Sequence, residues 1–184
     1  MNPDADLDPQ ELKYLAIQAS RGNQSDQALI YLKHAIQRAP QDGELHYLLA
    51  AEHAQLGMYD RAAEEMERAL TLTPGLDTAR LQLGLLYLTQ AKVEASARTL
   101  EPLTALADDN CFRHFSLGLL HLTQDRFAAC RAALTQGIAL NVQNDALNGD
   151  MQKILDALPP PEPEQAQADG NVWLSAYKQN DVPN

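Results

Sequence analysis

Cysteine is scarce in this 184-residue chain, with Cys111 and Cys130 as the two thiols. They fall near the start of one candidate helix and midway along its partner, badly placed for the short Cα separation that a disulfide needs. Two free thiols are expected, acting as small hydrophobes in a reducing compartment. Aromatic residues are also few, at 5%, which suits alanine and leucine helix stacking. No apolar run approaches the roughly 18 residues of a membrane span. Met1 to Asp8 is acidic, unlike a basic and apolar signal peptide, so a cytoplasmic protein is expected. Basic side chains are outnumbered, 14 Lys and Arg against 25 Asp and Glu, giving a net charge of −11 and a pI near 4.7. Without a basic cluster, binding to nucleic acid or to an anionic membrane is disfavoured. The acids, such as Glu64, Glu65 and Glu67, spread along outer helical faces and keep the surface solvated. There is no Gly-x-Ser-x-Gly, no Gly-rich phosphate loop and no zinc-protease His-Glu pair, so no enzyme and no cofactor are expected.

The five histidines do not suggest a metal site either. His46 and His53 share a helix, as do His114 and His121. Seven residues are two turns, about 10.5 Å, too far for both rings to reach one ion easily. These four are read as apolar rings with polar tips packed between helices, and His34 is placed on an outer face.

What the chain does contain is a period. Leu15, Leu49, Leu83 and Leu117 stand 34 residues apart. Small residues repeat in the same register: Ala16, Ala50, Gly84 and Gly118 in one column, Ala28, Ala62, Ser96 and Cys130 in another. Leu32, Met66, Leu100 and Leu134 form a large column, and Ser25, Tyr59, Val93 and Phe127 a looser one. Small columns mark where helices cross closely and large ones fill the space between. Leu12, Leu15, Ala16 and Ala19 share one helical face, as do Ala62, Met66, Ala69 and Leu70, so both halves of a unit read as amphipathic helices. Gly22 and Gly57 fall near the inter-helix turns, and Pro40 and Pro74 stop the first two units. Asp8-Pro9-Gln10-Glu11 reads as an N-cap, a proline at the first helical position and acids in the first turn. The fold class is therefore all-α, a solenoid of antiparallel helix pairs that must stack to bury their apolar faces.

These columns resemble the tetratricopeptide repeat family, whose 34-residue units carry bulky, Leu, Gly/Ala and Tyr positions in the first helix and Ala, aromatic, Ala and Pro in the second. The resemblance covers units 9–42, 43–76, 77–110 and 111–144. Leu103 and Gly137 replace the second Ala, Arg80 takes a place where the family often has a bulky aromatic, and Asp108 and Val142 replace the stopping Pro. Residues 145–158, with Met151, Ile154, Leu155 and Leu158 at helical spacing, read as a capping helix on the exposed end of the array. Residues 1–8 form an acidic tail and 159–170 a Pro-rich linker.

In such arrays the first helix of each unit lines the concave side. In the third unit Leu81, Leu85 and Leu88 form a stripe separate from core-facing Leu83 and Tyr87, and the fourth unit repeats it with Phe115, Leu119 and Leu122, plus Phe112. A helix apolar on two sides is buried on both or exposes a binding patch. The matching face of the first two units, Lys13, Ile17 and Ser20, then Tyr47, Ala51 and Ala54, is shallower and more polar. The expected function is a non-enzymatic adaptor or chaperone-like module that binds an apolar peptide or amphipathic helix, mainly in units three and four. The alternative is a structural subunit that buries the same stripe by oligomerising. Co-chaperone relatives in this family grip a carboxylate with Lys, Asn and Arg, but here only Lys13 matches, and Ile17, Leu48, Thr78 and Gln82 stand at the other places. The resemblance therefore implies no Hsp70 or Hsp90 partner.

The tail, residues 171–184, carries Val172, Trp173, Leu174 and Tyr177, too apolar for an idle end. Two functional readings stand beside that of a disordered end: docking on its own array, or a motif offered to another protein. At about 3.1 Å per residue a twelve-residue linker spans roughly 37 Å, enough to fold back over much of the array.

Overall fold

The computed structural model describes residues 7–160. The tail motif Val172, Trp173, Leu174 and Tyr177 and most of the linker lie outside the described residues, as do residues 1–6. Among the described residues there are nine α-helices and no strand. They are α1 (Pro9–Arg21), α2 (Ser25–Arg38), α3 (Gly43–Gln55), α4 (Tyr59–Leu72), α5 (Asp77–Thr89), α6 (Val93–Leu100), α7 (Cys111–Leu122), α8 (Phe127–Leu140) and α9 (Asp145–Ala157). A 3-10 turn, Glu101–Ala105, follows α6 directly. Successive helices pack as antiparallel pairs, α1 with α2 through α7 with α8, and each pair stacks on the next.

Local chemistry starts and stops each helix. Asp8 caps α1: its Oδ1 accepts hydrogen bonds from the Gln10 and Glu11 N–H groups at 2.8 and 2.9 Å, while Glu11 accepts from the Asp8 N–H at 2.8 Å. This reciprocal pairing is a capping box. The turn inside each pair repeats with the sequence period. Asn23, Gly57, Ala91 and Asp125, 34 residues apart, all adopt a left-handed backbone with φ between 54° and 73°. The following N–H donates back to the carbonyl of Ala19, His53, Tyr87 or Leu122's neighbour His121, at 2.8 to 3.0 Å. A left-handed residue with this 6→1 hydrogen bond closes the helix end and reverses the chain. Gly57 is the one glycine among the four, and Gly22, although near its turn, has φ −82°.

The pairs interlock where small meets large. A Cβ placed on Gly84 would lie 2.4 Å from Leu100, and one on Gly118 2.4 Å from Leu134. Ser96, fully buried across from the same helix, donates from Oγ to the Gly84 carbonyl at 2.8 Å. The two departures from the family pattern at the second Ala have packing causes. Gly137 faces the Phe115 ring, which a Cβ there would approach to 2.5 Å, and Leu103 is fully buried where the helix has ended early. Glu101 and Pro102 bring that end about: proline cannot donate to the helix ladder, so α6 stops after eight residues, whereas α2, α4 and α8 each run for 14. Beyond its own partner α8, the α7 helix then packs on the 3-10 turn and α5. At the far end Leu147, Met151, Leu155 and Leu158 bury against Phe115, Leu119, Cys130 and Leu134, so the last helix covers the apolar end of the stack.

The bulky column has a second function in the stacking. His46 Nε2 lies 3.4 Å from the Pro40 carbonyl, Arg80 Nη2 donates to the Pro74 carbonyl at 2.9 Å, and His114 Nε2 lies 2.6 Å from the Asp108 carbonyl. Each residue sits six positions after its partner, at the same place in successive units. A carbonyl left free where one pair ends is thereby met from the first helix of the next pair. Asp108 supplies this acceptor as Pro40 and Pro74 do, and Arg80 reaches it with a guanidinium.

Two substitutions test this packing. Gly137→Ala, with its Cβ driven into the Phe115 ring, should destabilise by about 1–3 kcal/mol, the usual cost of overpacking. On a Phe115→Leu background the added cost of Gly137→Ala should fall, and equal costs in urea titrations of both backgrounds would contradict the contact. Ala91→Gly should stabilise by about 1 kcal/mol by relieving a left-handed alanine, and a melt unchanged or lowered by that substitution would contradict the turn geometry.

Candidate functional site

The odd-numbered helices share one surface. A pocket of about 470 Å³ takes Lys13 and Ile17 from α1, Tyr47 and Leu48 from α3, Thr78 and Ala79 from α5, and Phe112 from α7, with Leu76 at its edge. Four helices from four successive pairs can line one pocket only if the stack curls towards them. Of the residues expected in a partner groove, Lys13, Ile17, Tyr47 and Phe112 are brought together here. Ala51 lines a smaller adjoining cavity of about 210 Å³.

The apolar stripe of the third and fourth units divides. Leu81, Phe115 and Leu119 are 0% exposed and belong to the hydrophobic core, so they offer no surface to a partner. The cause is local: Gly137 opens room for the Phe115 ring, and the early end of α6 lets α7 settle against α5 and the 3-10 turn. Leu85, Leu88, Phe112 and Leu122 are half-buried and pack against the same core cluster. The open space therefore lies nearer the first two pairs than the pattern of apolar residues implied.

Charge at the pocket is paired in part. The Lys13 ammonium bonds to Glu44, joining α1 to α3. Glu44 and Asp77 leave the rim acidic. Tyr47 is held in its protonated form: burial pushes its phenol up, and a hydrogen bond with the Gln82 side chain opposes that only in part. The pocket can therefore present a phenol hydroxyl, an aliphatic wall and a phenyl ring, a set suited to holding an apolar side chain with one polar anchor.

The histidines serve packing. His46 Nδ1 lies 2.7 Å from Glu65 Oε2 and bridges α3 to α4. His53 and His121 occupy the column of Tyr87, which bonds through its hydroxyl to Glu67. Burial lowers the basicity of both rings. Cys111 and Cys130 are free thiols, and burial raises both above the ordinary thiol value. Among the described residues no group of three or more His, Cys, Asp and Glu is arranged to hold a metal ion, and no helix is long and apolar enough to cross a membrane.

Sequence reasoning missed Glu52. It sits on α3 in the column that holds Leu86 and Leu120, yet only 3% of it is exposed, and its Oε2 has no hydrogen-bond partner among the described residues. The signal was present in the register, as a carboxylate at a position where later units place leucine.

The tetratricopeptide repeat family profile matches residues 43–76. No curated protein matches the chain by sequence. Among solved structures, MamA (residues 41 to the end) from Desulfovibrio magneticus RS-1 is 22% identical with a TM-score of 0.60, over 80% of this chain and 85% of that one. PilF of Pseudomonas aeruginosa is 18% identical with a TM-score of 0.63, over 79% and 68%. A chain of the APC/C Cut9–Hcn1 hetero-tetramer is 17% identical with a TM-score of 0.71, and the match covers 80% of this chain but 29% of that longer one. At these identities the likeness is one of fold. Residues 43–76 thus match a tetratricopeptide repeat, and the described array shares its fold with these solved structures.

Proposed function

We propose that this chain is a non-enzymatic protein-binding module that takes an apolar peptide segment, extended or helical, into the groove lined by α1, α3, α5 and α7. The observation that supports this reading most is the pocket of about 470 Å³ to which all four helices contribute. An apolar side chain entering it would remove Ile17, Leu48 and Phe112 from water, and burial of such surface drives association at about 25 cal/mol per Å² before the costs of ordering. The half-buried Leu85, Leu88 and Leu122 extend the apolar character of the first helices, and Ala51 continues it towards the N-terminal end. Lys13 is tied to Glu44, so the one residue matching a carboxylate clamp is already engaged. The partner is accordingly recognised by apolar side chains rather than by a terminal carboxylate. In this reading the tail motif at Val172, Trp173, Leu174 and Tyr177 competes for the groove and regulates access to it, and the protein works in the cytoplasm as an adaptor or assembly factor.

Capture from native lysate with the intact chain, Tyr47→Glu and Ile17→Glu tests the proposal. Each charge placed in the pocket should weaken retention of a specific partner at least tenfold, about 1.4 kcal/mol, with helical content and melting temperature close to the parent. Retention of the same proteins by folded variants would contradict groove binding. A captured species that proves to be the same chain would favour the structural-subunit reading.

A further inference from the structure

The smaller cavity, about 210 Å³, adjoins the larger pocket and shares Ile17 and Leu48 with it as a wall. Ala16, Leu32 and Ala51 make its sides apolar, and Glu52 lines it with a side chain that is 3% exposed and an Oε2 without a hydrogen-bond partner among the described residues. An unpaired buried carboxylate oxygen is costly, and at the same register Leu86 and Leu120 show that packing alone is met by leucine. The other charged residue at the cavity, Arg21, is exposed, and no described ion pair joins it to Glu52. Drug-sized ligands occupy pockets of roughly 300 Å³ or more, so this space suits one side chain. An aliphatic stem against the apolar walls with a cationic head on the carboxylate is how lysine and arginine divide between apolar and polar surroundings.

We propose that this cavity is a subsite for a basic side chain of the bound segment, with Glu52 as its counter-charge and specificity-determining residue. The proposal deepens the groove reading and rests on it: the preferred partner carries a lysine or arginine next to the apolar residue that fills the larger pocket. The net charge of −11 favours the approach of such a segment. Arg21, at the same cavity, opposes an incoming cation by its like charge.

The test uses the ¹⁵N-labelled intact chain titrated with n-butylammonium chloride, with n-butanol as the uncharged isostere and butyrate as the anion. Saturable amide shifts at Ile17, Leu48 and Ala51 are expected with n-butylammonium and not with the other two. Glu52→Gln, which keeps the shape of the side chain, should weaken that binding at least tenfold, and Arg21→Ala should tighten it severalfold. Equal responses to n-butanol, tighter binding of butyrate, no saturable shift, or unchanged affinity in a Glu52→Gln protein with a native spectrum would each overturn the subsite. Because Ala51 and Glu52 line this cavity and not the larger pocket, n-butylammonium binding that shifts Ala51 and is lost in Glu52→Gln, together with capture insensitive to Tyr47→Glu, would keep the basic subsite and remove the larger groove.

Discussion

The array depends on small residues set against large ones at the helix crossings. Gly84 against Leu100, Gly118 against Leu134 and Gly137 against Phe115 leave no room for a Cβ, and Ala28, Ala62, Ser96 and Cys130 are completely buried halfway along the pairs. Close approach is what lets two short amphipathic helices share a core, because neither can bury its apolar stripe alone. The left-handed residues at the four turns and the side chains that meet the carbonyls of residues 40, 74 and 108 keep those crossings in step from one pair to the next.

Curvature is the property that the proposed groove draws from this packing. The stack is not uniform: α6 gives way to a 3-10 turn at Pro102, and α7 consequently rests on that turn and on α5. The fourth pair is thus the one whose Phe115 and Leu119 sink into the core while Phe112 reaches a pocket shared with Lys13 on the first helix. Apolar residues in the late units act mainly as structure, and the open space along the first helices lies nearer the early ones.

Much of the architecture was legible in the sequence because a fixed period assigns each column to a packing role. Leu32, Leu100 and Leu134 fill the crossings, Ala16 and Gly118 permit them, and Asp8 and Glu11 cap the first helix. The candidate site was legible only in part. Helical periodicity places Leu81, Phe115 and Leu119 on a second face but does not state what covers that face, which depends on how Gly137 and Pro102 set neighbouring helices. Arg80 looked like a departure from the pattern because its partner, the Pro74 carbonyl, belongs to the backbone and leaves no mark on side-chain identity. Glu52 was overlooked because a single carboxylate on a helix is ordinarily solvated, and only its burial makes it unusual.

The central claim is that α1 and α7 face each other across one groove. Three steps between successive first helices, at 8–10 Å each, would separate them by roughly 30 Å in a straight stack. Spin labels at positions 13 and 112, in a chain whose Cys111 and Cys130 are replaced by alanine, report that separation directly by pulsed dipolar spectroscopy. A single narrow distribution well below the straight-stack distance and independent of concentration is the predicted result. A distribution centred at or beyond about 30 Å, or one that appears only as concentration rises, would contradict the curled array and the groove with it.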